Sequence, residues 1–92
     1  MGPKTERLLH VLGELVRLLS SAGADHWAGW MRECERRLAN SDGSGVLHLL
    51  QAYGGMGSFN DLQLEGDEGR RLEQLRSEAA RLGEEIRREA GL

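Results

Sequence analysis

The sequence predicts an all-α fold: a small four-helix bundle-like domain with a glycine-rich loop between helices 3 and 4. Apolar residues recur at the 3.6-residue helical period in successive segments. Between those segments stand Gly, Asn, Asp and Ser, the residue types that turns and caps favour for their backbone freedom or short polar side chains. One stretch, Gly54-Gly55-Met56-Gly57-Ser58-Phe59-Asn60-Asp61, departs from helical composition altogether.

The first helix is expected over residues 5–22. Leu8, Leu12, Leu15 and Leu19 set its stripe, and Leu9, Val11, Val16 and Leu18 widen it. Pro3 before it and Gly23 after it suit helix punctuation. Gly13 in its middle costs roughly 1 kcal/mol against Ala, which points to a close helix crossing there. Asp25 is an N-cap candidate for a second helix over 25–39. Trp27, Trp30 or Met31, Cys34 and Leu38 share its apolar face, with the two tryptophans expected to fill the core against helix one. Asn40 to Gly45 is a turn. Ser44 is placed to cap a third helix over 45–53, whose Val46, Leu47, Leu49, Leu50 and Tyr53 leave little polar surface and make it central.

The glycine loop follows. Gly54 is placed as the C-cap of the third helix. Gly55 and Gly57 exceed what a cap needs, and glycine supplies positive φ or close backbone approach without steric cost. Ser58 and Asp61 have the spacing of a capping box. Phe59, Leu62 and Leu64 alternatively anchor a short extended segment to the core. The block from Gly54 to Leu62 resembles the signature of a family of small bacterial domains of unknown function, in which a leucine-rich helix and a Trp-containing helix precede a Gly-Gly-Met-Gly-Ser-(Phe/Leu)-Asn-Asp-Leu run. The resemblance covers Leu8 to Leu64. It implies an uncharacterised domain and brings no activity and no catalytic residue with it.

Residues 67–90 read as a long charged helix. Leu72, Leu75, Ala79, Leu82 and Ile86 are spaced 3, 4, 3, 4, the seam of helices that wrap around one another. Glu73/Arg76, Glu78/Arg81 and Glu84/Arg88 lie at helix-contact spacings. The seam is satisfied either by folding back onto helices one to three or by pairing with a second copy. A homodimer with this seam in or near its interface is the expectation, because a small core gains from a partner.

Residues 1–92 are read as a single domain, with a core over 5–64 and the charged helix over 67–90. Net charge is −3, which argues against a nucleic-acid binder. Between Arg37 and Arg70 no Lys or Arg occurs, while Asp42, Asp61, Glu65, Asp67 and Glu68 do, so the loop lies in a locally acidic region suited to a basic partner or a cation. The lone Cys34 excludes an internal disulfide and points to the cytoplasm. No signal peptide pattern is found, and the apolar run from Leu8 to Leu19 is too short and too interrupted to span a membrane.

Catalytic and ligand constellations are weak. The loop lacks the third glycine of a dinucleotide fingerprint and no Gly-Lys-Ser/Thr follows it. His10, His26 and His48 lie in separate segments without zinc-helix spacing, so no metal and no cofactor is assigned. Ser58, His48 and Asp61 can be written as a triad without any signature context, and an enzyme is unsupported. The leading reading is a small cytoplasmic helical protein-interaction module, a regulator or inhibitor of a basic protein, with residues 54–61 as the candidate interaction loop. The alternative is a small-ligand-binding or enzymatic domain that uses the same loop, with Asn60 and Asp61 as its polar groups.

Overall fold

The computed structural model describes residues 2–92. Helix α1 spans Pro3–Ser21, α2 Asp25–Ala39, α3 Ser44–Leu50 and α4 Gly66–Ala90, with a short 3-10 turn at Phe59–Asp61 between α3 and α4. The described residues contain no strand. The all-α expectation therefore holds, and the segment after Phe59 is a 3-10 turn running into extended backbone.

The apolar stripes meet in one core. Leu8, Val11, Leu12, Leu15 and Leu19 of α1 pack with Met31, Cys34 and Leu38 of α2, Val46 and Leu49 of α3, and Leu72, Leu75, Ala79 and Leu82 of α4. Each buried leucine contributes roughly 1.5–3 kcal/mol relative to exposure. Helix α1 lies against α2 and α4, and α3 lies against the same two helices from the other side.

The seam of α4 is thus occupied within the chain. Leu72, Leu75, Ala79 and Leu82 are buried and Ile86 is half-buried against the core, so the seam is covered by α1 and α3 of the same chain. Two features of the partner helices explain why. A row of ion pairs flanks the seam: Lys4 reaches Glu85 and Glu89, Arg7 grips Glu78 through Nε and Nη2, and Arg71 meets Glu14 at 2.6 Å. As the numbers rise on α1 they fall on α4, which makes the two helices antiparallel. The other feature is Gly83, where a Cβ would stand 3.2–3.3 Å from the Leu49 and Leu50 methyls, so α3 nests onto α4 at that turn.

Several local expectations are corrected. Asp25 is the first residue of α2 rather than its cap, and it makes no capping bond. The Ser44 N–H donates to Asp42 Oδ1 at 2.9 Å, so Asp42 is the capping group of α3. Helix α3 ends at Leu50, before Tyr53, and Gly54 is a loop residue. Leu47 is exposed. Glu84 pairs with Arg87 instead of Arg88. Gly13 faces only the ends of the Glu35 and Arg17 side chains, so no close helix crossing requires it.

Candidate interaction loop and its aromatic base

The loop is built on a backbone bond between elements. The Phe59 N–H donates to the Ala52 carbonyl at 2.9 Å and closes the excursion of residues 53–58 at its base. Within it Gly54, Gly55 and Gly57 take φ of +89°, +78° and +75°, a region costing other L-residues about 1–2 kcal/mol each. The Gly57 N–H donates to Asp61 Oδ2 at 2.6 Å, and the Asn60 N–H donates to Ser58 Oγ at 3.2 Å. Side chains on either side of the turn thus hold backbone donors across it, but not as a capping box: Ser58 accepts from Asn60 instead of Asp61, and Asp61 reaches Gly57 instead of Ser58.

Phe59 does not belong to the exposed part of the candidate interaction loop. It is 0 % exposed and forms the loop's root in the core. Its ring lies 5.3 Å from that of Trp27 and 5.7 Å from that of Tyr53. The Arg76 guanidinium sits 5.5 Å above it. Gly54, Gly55, Met56, Gly57, Asn60 and Asp61 are exposed, and Ser58 is half-buried.

Arg76 is the residue that sequence reasoning missed. It is 6 % exposed, although it lies on a helix whose composition reads as solvent-facing charge. Its Nη1 donates to the carbonyls of Phe59 at 2.7 Å and Leu62 at 2.8 Å, and its Nη2 to Glu73 at 2.6 Å. Tyr53 Oη donates to the Arg76 carbonyl at 2.8 Å, which ties the opposite end of the loop to the same turn of α4. A buried charge is tolerated when its donors are matched in this way. The available signal was positional: residue 76 follows Leu75 directly and stands four residues after Leu72, beside the seam.

An aromatic face adjoins the loop through Trp27. His26 packs edge-on to Trp27 at 4.6 Å, and the Trp27 and Trp30 rings are 5.6 Å apart. Trp30 stacks on His48 at 4.1 Å and 9°, while its Nε1–H donates to the His48 carbonyl at 2.9 Å. The tryptophans are half-buried and meet α3 and the 3-10 turn, which corrects the expectation that they fill the core against helix one. Burial pushes the His48 imidazole below its ordinary value.

The geometry lends little to catalysis. Ser58 and Asp61 are both engaged with backbone donors, and His48 is stacked on Trp30. Burial pushes the Cys34 thiol up to about 12, so it stays protonated and unreactive. A polar groove of about 420 Å³ runs between the extended segment Leu62–Leu64 and the start of α4, with Asn60 and Glu73 on its walls. At one point its walls touch: a Cβ on Gly69 would stand 2.2 Å from the Leu64 carbonyl oxygen.

The family described as a domain of unknown function (DUF6966) matches residues 20–73, more than half of the chain. The chain belongs to that family. No curated protein and no solved structure matches it. The DUF6966 match takes in α2, α3, the glycine loop and the first turns of α4, ending before Arg76. It therefore includes the loop and aromatic face, and leaves out most of α1 and the rest of α4, which form the packing scaffold behind them.

Proposed function

We propose that this domain is a protein-interaction module, a regulator or inhibitor that offers the loop at residues 54–61 to a partner protein with a basic face. The carrying observation is Met56, which is 97 % exposed at the tip of the loop. Burying a methionine is worth roughly 1.5–3 kcal/mol, and here that contribution is left unclaimed by the fold. Beneath the methionine, Asp61, Ser58 and the Arg76 clamp hold the backbone of Gly57, Asn60 and Phe59, so the frame that carries the tip needs little ordering on docking. Methionine and aromatic side chains are enriched in the centres of interfaces, and Trp27, His26 and Trp30 adjoin the loop's base. The basic partner is suggested by the exposed acidic groups Asp61, Glu65 and Glu68 in and downstream of the loop; Asp67 beside them is paired with Arg70.

The deciding experiment places a photo-reactive methionine analogue at position 56 and a photo-reactive residue at the exposed Arg81 of α4, in the cells that encode the chain. A discrete protein adduct at position 56, suppressed by excess parent and not by Met56→Asp, is the expected result. Equal adducts at both positions, or adducts that no competitor suppresses, refute the reading. The ligand-binding alternative has no comparable support, because the Asp61 carboxylate is held by Gly57.

A further inference from the structure

We propose that Met56 is a modification site, a surface thioether that hydroperoxides convert selectively to the sulfoxide, and that this conversion turns the apolar loop tip polar without disturbing the fold. The release of a docked partner follows from it and rests on the interaction reading above.

The argument begins with access. Peroxide oxidation of a thioether needs an open approach to a sulfur lone pair and water around the departing oxygen. Met56 offers both, since it is 97 % exposed and flanked by glycines that carry no side chains. At Gly54, Gly55 and Gly57 even an added Cβ would meet nothing within 4 Å. The other sulfurs of the described residues are shielded: Met31 and Cys34 are both 0 % exposed in the core. Thiol oxidation also needs the thiolate, and burial keeps Cys34 protonated.

The step balances as a two-electron transfer. The Met56 sulfur attacks the terminal oxygen of the hydroperoxide, an S–O bond forms and the O–O bond breaks. Hydroxide (or alkoxide) leaves, and the proton carried over on the transferred oxygen passes to it through water. Sulfur is oxidised to the sulfoxide and the peroxide is reduced to water or an alcohol. A dithiol reductant reverses it, carrying the oxygen away as water and ending as a disulfide.

The surrounding structure makes the change local. The bonds that hold the loop run from Gly57 to Asp61, from Asn60 to Ser58, from Phe59 to Ala52 and from Arg76 to the carbonyls of Phe59 and Leu62. None uses Met56. An added S=O at the tip meets solvent, whereas the same oxygen at Met31 would need room and a donor in a close-packed core. The chemistry of the tip is therefore separable from the stability of its frame.

The test treats the intact protein with dilute hydrogen peroxide, follows each sulfur by peptide mass spectrometry and records thermal melting in parallel. Met56 is expected to oxidise about tenfold or more faster than Met31, with Cys34 unmodified and the melting temperature unchanged. Retention on a phenyl matrix drops in step with Met56 oxidation, and Met56→Leu keeps its retention under peroxide. Equal rates at Met56 and Met31, a fall in melting temperature that tracks Met56 sulfoxide, or unchanged retention overturns the proposal. The photo-crosslink separates the two readings. If excess parent with Met56 fully oxidised suppresses the position-56 adduct as well as unoxidised parent does, the release is removed and the interaction module stands. A selective, fold-neutral oxidation with no adduct at either position removes the module and leaves the modification site.

Discussion

Arg76 places a guanidinium in the interior, and what surrounds it makes the cost bearable: two carbonyls, one carboxylate and the face of Phe59. Removing it by Arg76→Ala strands the Leu62 carbonyl, leaves the Phe59 carbonyl with only the Leu62 N–H and opens a cavity, with an expected loss of roughly 2–4 kcal/mol. Arg76→Lys keeps the charge but cannot reproduce the forked geometry, so it is expected to recover less than half of that loss in chemical denaturation. Gly13 goes the other way. Only flexible side-chain ends stand near it, and Gly13→Ala is expected to raise stability by about 0.5–1 kcal/mol through helix propensity. At Cys34, burial predicts that an alkylating reagent leaves the native thiol unlabelled at a pH where the denatured chain reacts to completion.

Among the elements, the loop is the one whose conformation excludes most residue types. Its glycines have positive φ, so Gly57→Val is expected to cost at least about 1–2 kcal/mol, seen as a lower melting temperature. The exchange at Met56 is expected to leave melting unchanged, because no bond of the frame uses that side chain. Helix α4 shows how one pattern admits two assemblies. Its 3-4 spaced seam reads equally well as an intramolecular contact or as a coiled-coil interface, and periodicity contains no information about which chain supplies the other side. The answer came from residues scattered along α1: Lys4, Arg7 and Glu14 face Glu85, Glu78 and Arg71 across the seam. Leu75→Glu with Leu82→Glu is therefore expected to unfold the domain, measured as loss of the helical circular dichroism signal, since charges forced into the core exceed its marginal stability.

At the scale of the whole molecule, the radius of gyration is 12.3 Å, the size expected for a single compact chain of this length. With the α4 seam buried, sedimentation at micromolar concentration is expected to report a monomer. Its stability should fall in acid, and the sign follows from the groups involved. Burial lowers His48, and hydrogen bonds from Arg36 and Arg37 hold Glu33 down at about 2. Arg7 lowers Glu78, and the bonds to Ser44 lower Asp42. Each group binds its proton more tightly in the unfolded chain, so the stability it contributes is present above the unfolded value and lost as pH drops through the folded one. His48 acts first, below its ordinary 6.5, and the carboxylates follow below about 4.5. A melting temperature that declines between about pH 7 and about pH 3 is the expected profile; because the carboxylate pairs are exposed, their share should shrink with added salt.

The sequence by itself determined the helices and the turns that part them, because amphipathic periodicity and glycine chemistry are local and are written in consecutive residues. It also marked residues 54–61 as unusual backbone, since only glycine accepts positive φ three times within four positions without strain. Tertiary structure decided the rest. It took Phe59 out of the loop's surface and into the core, turned Trp27 and Trp30 toward the 3-10 turn and α3, buried Arg76 and folded the α4 seam back on α1 and α3. Each of these outcomes depends on partners distant in sequence: the acceptors of Arg76 Nη1 lie 14 and 17 residues away, and the ion pairs of the seam span up to 85. A local pattern can announce that a face must be covered, but the identity of the cover is a property of the assembled chain.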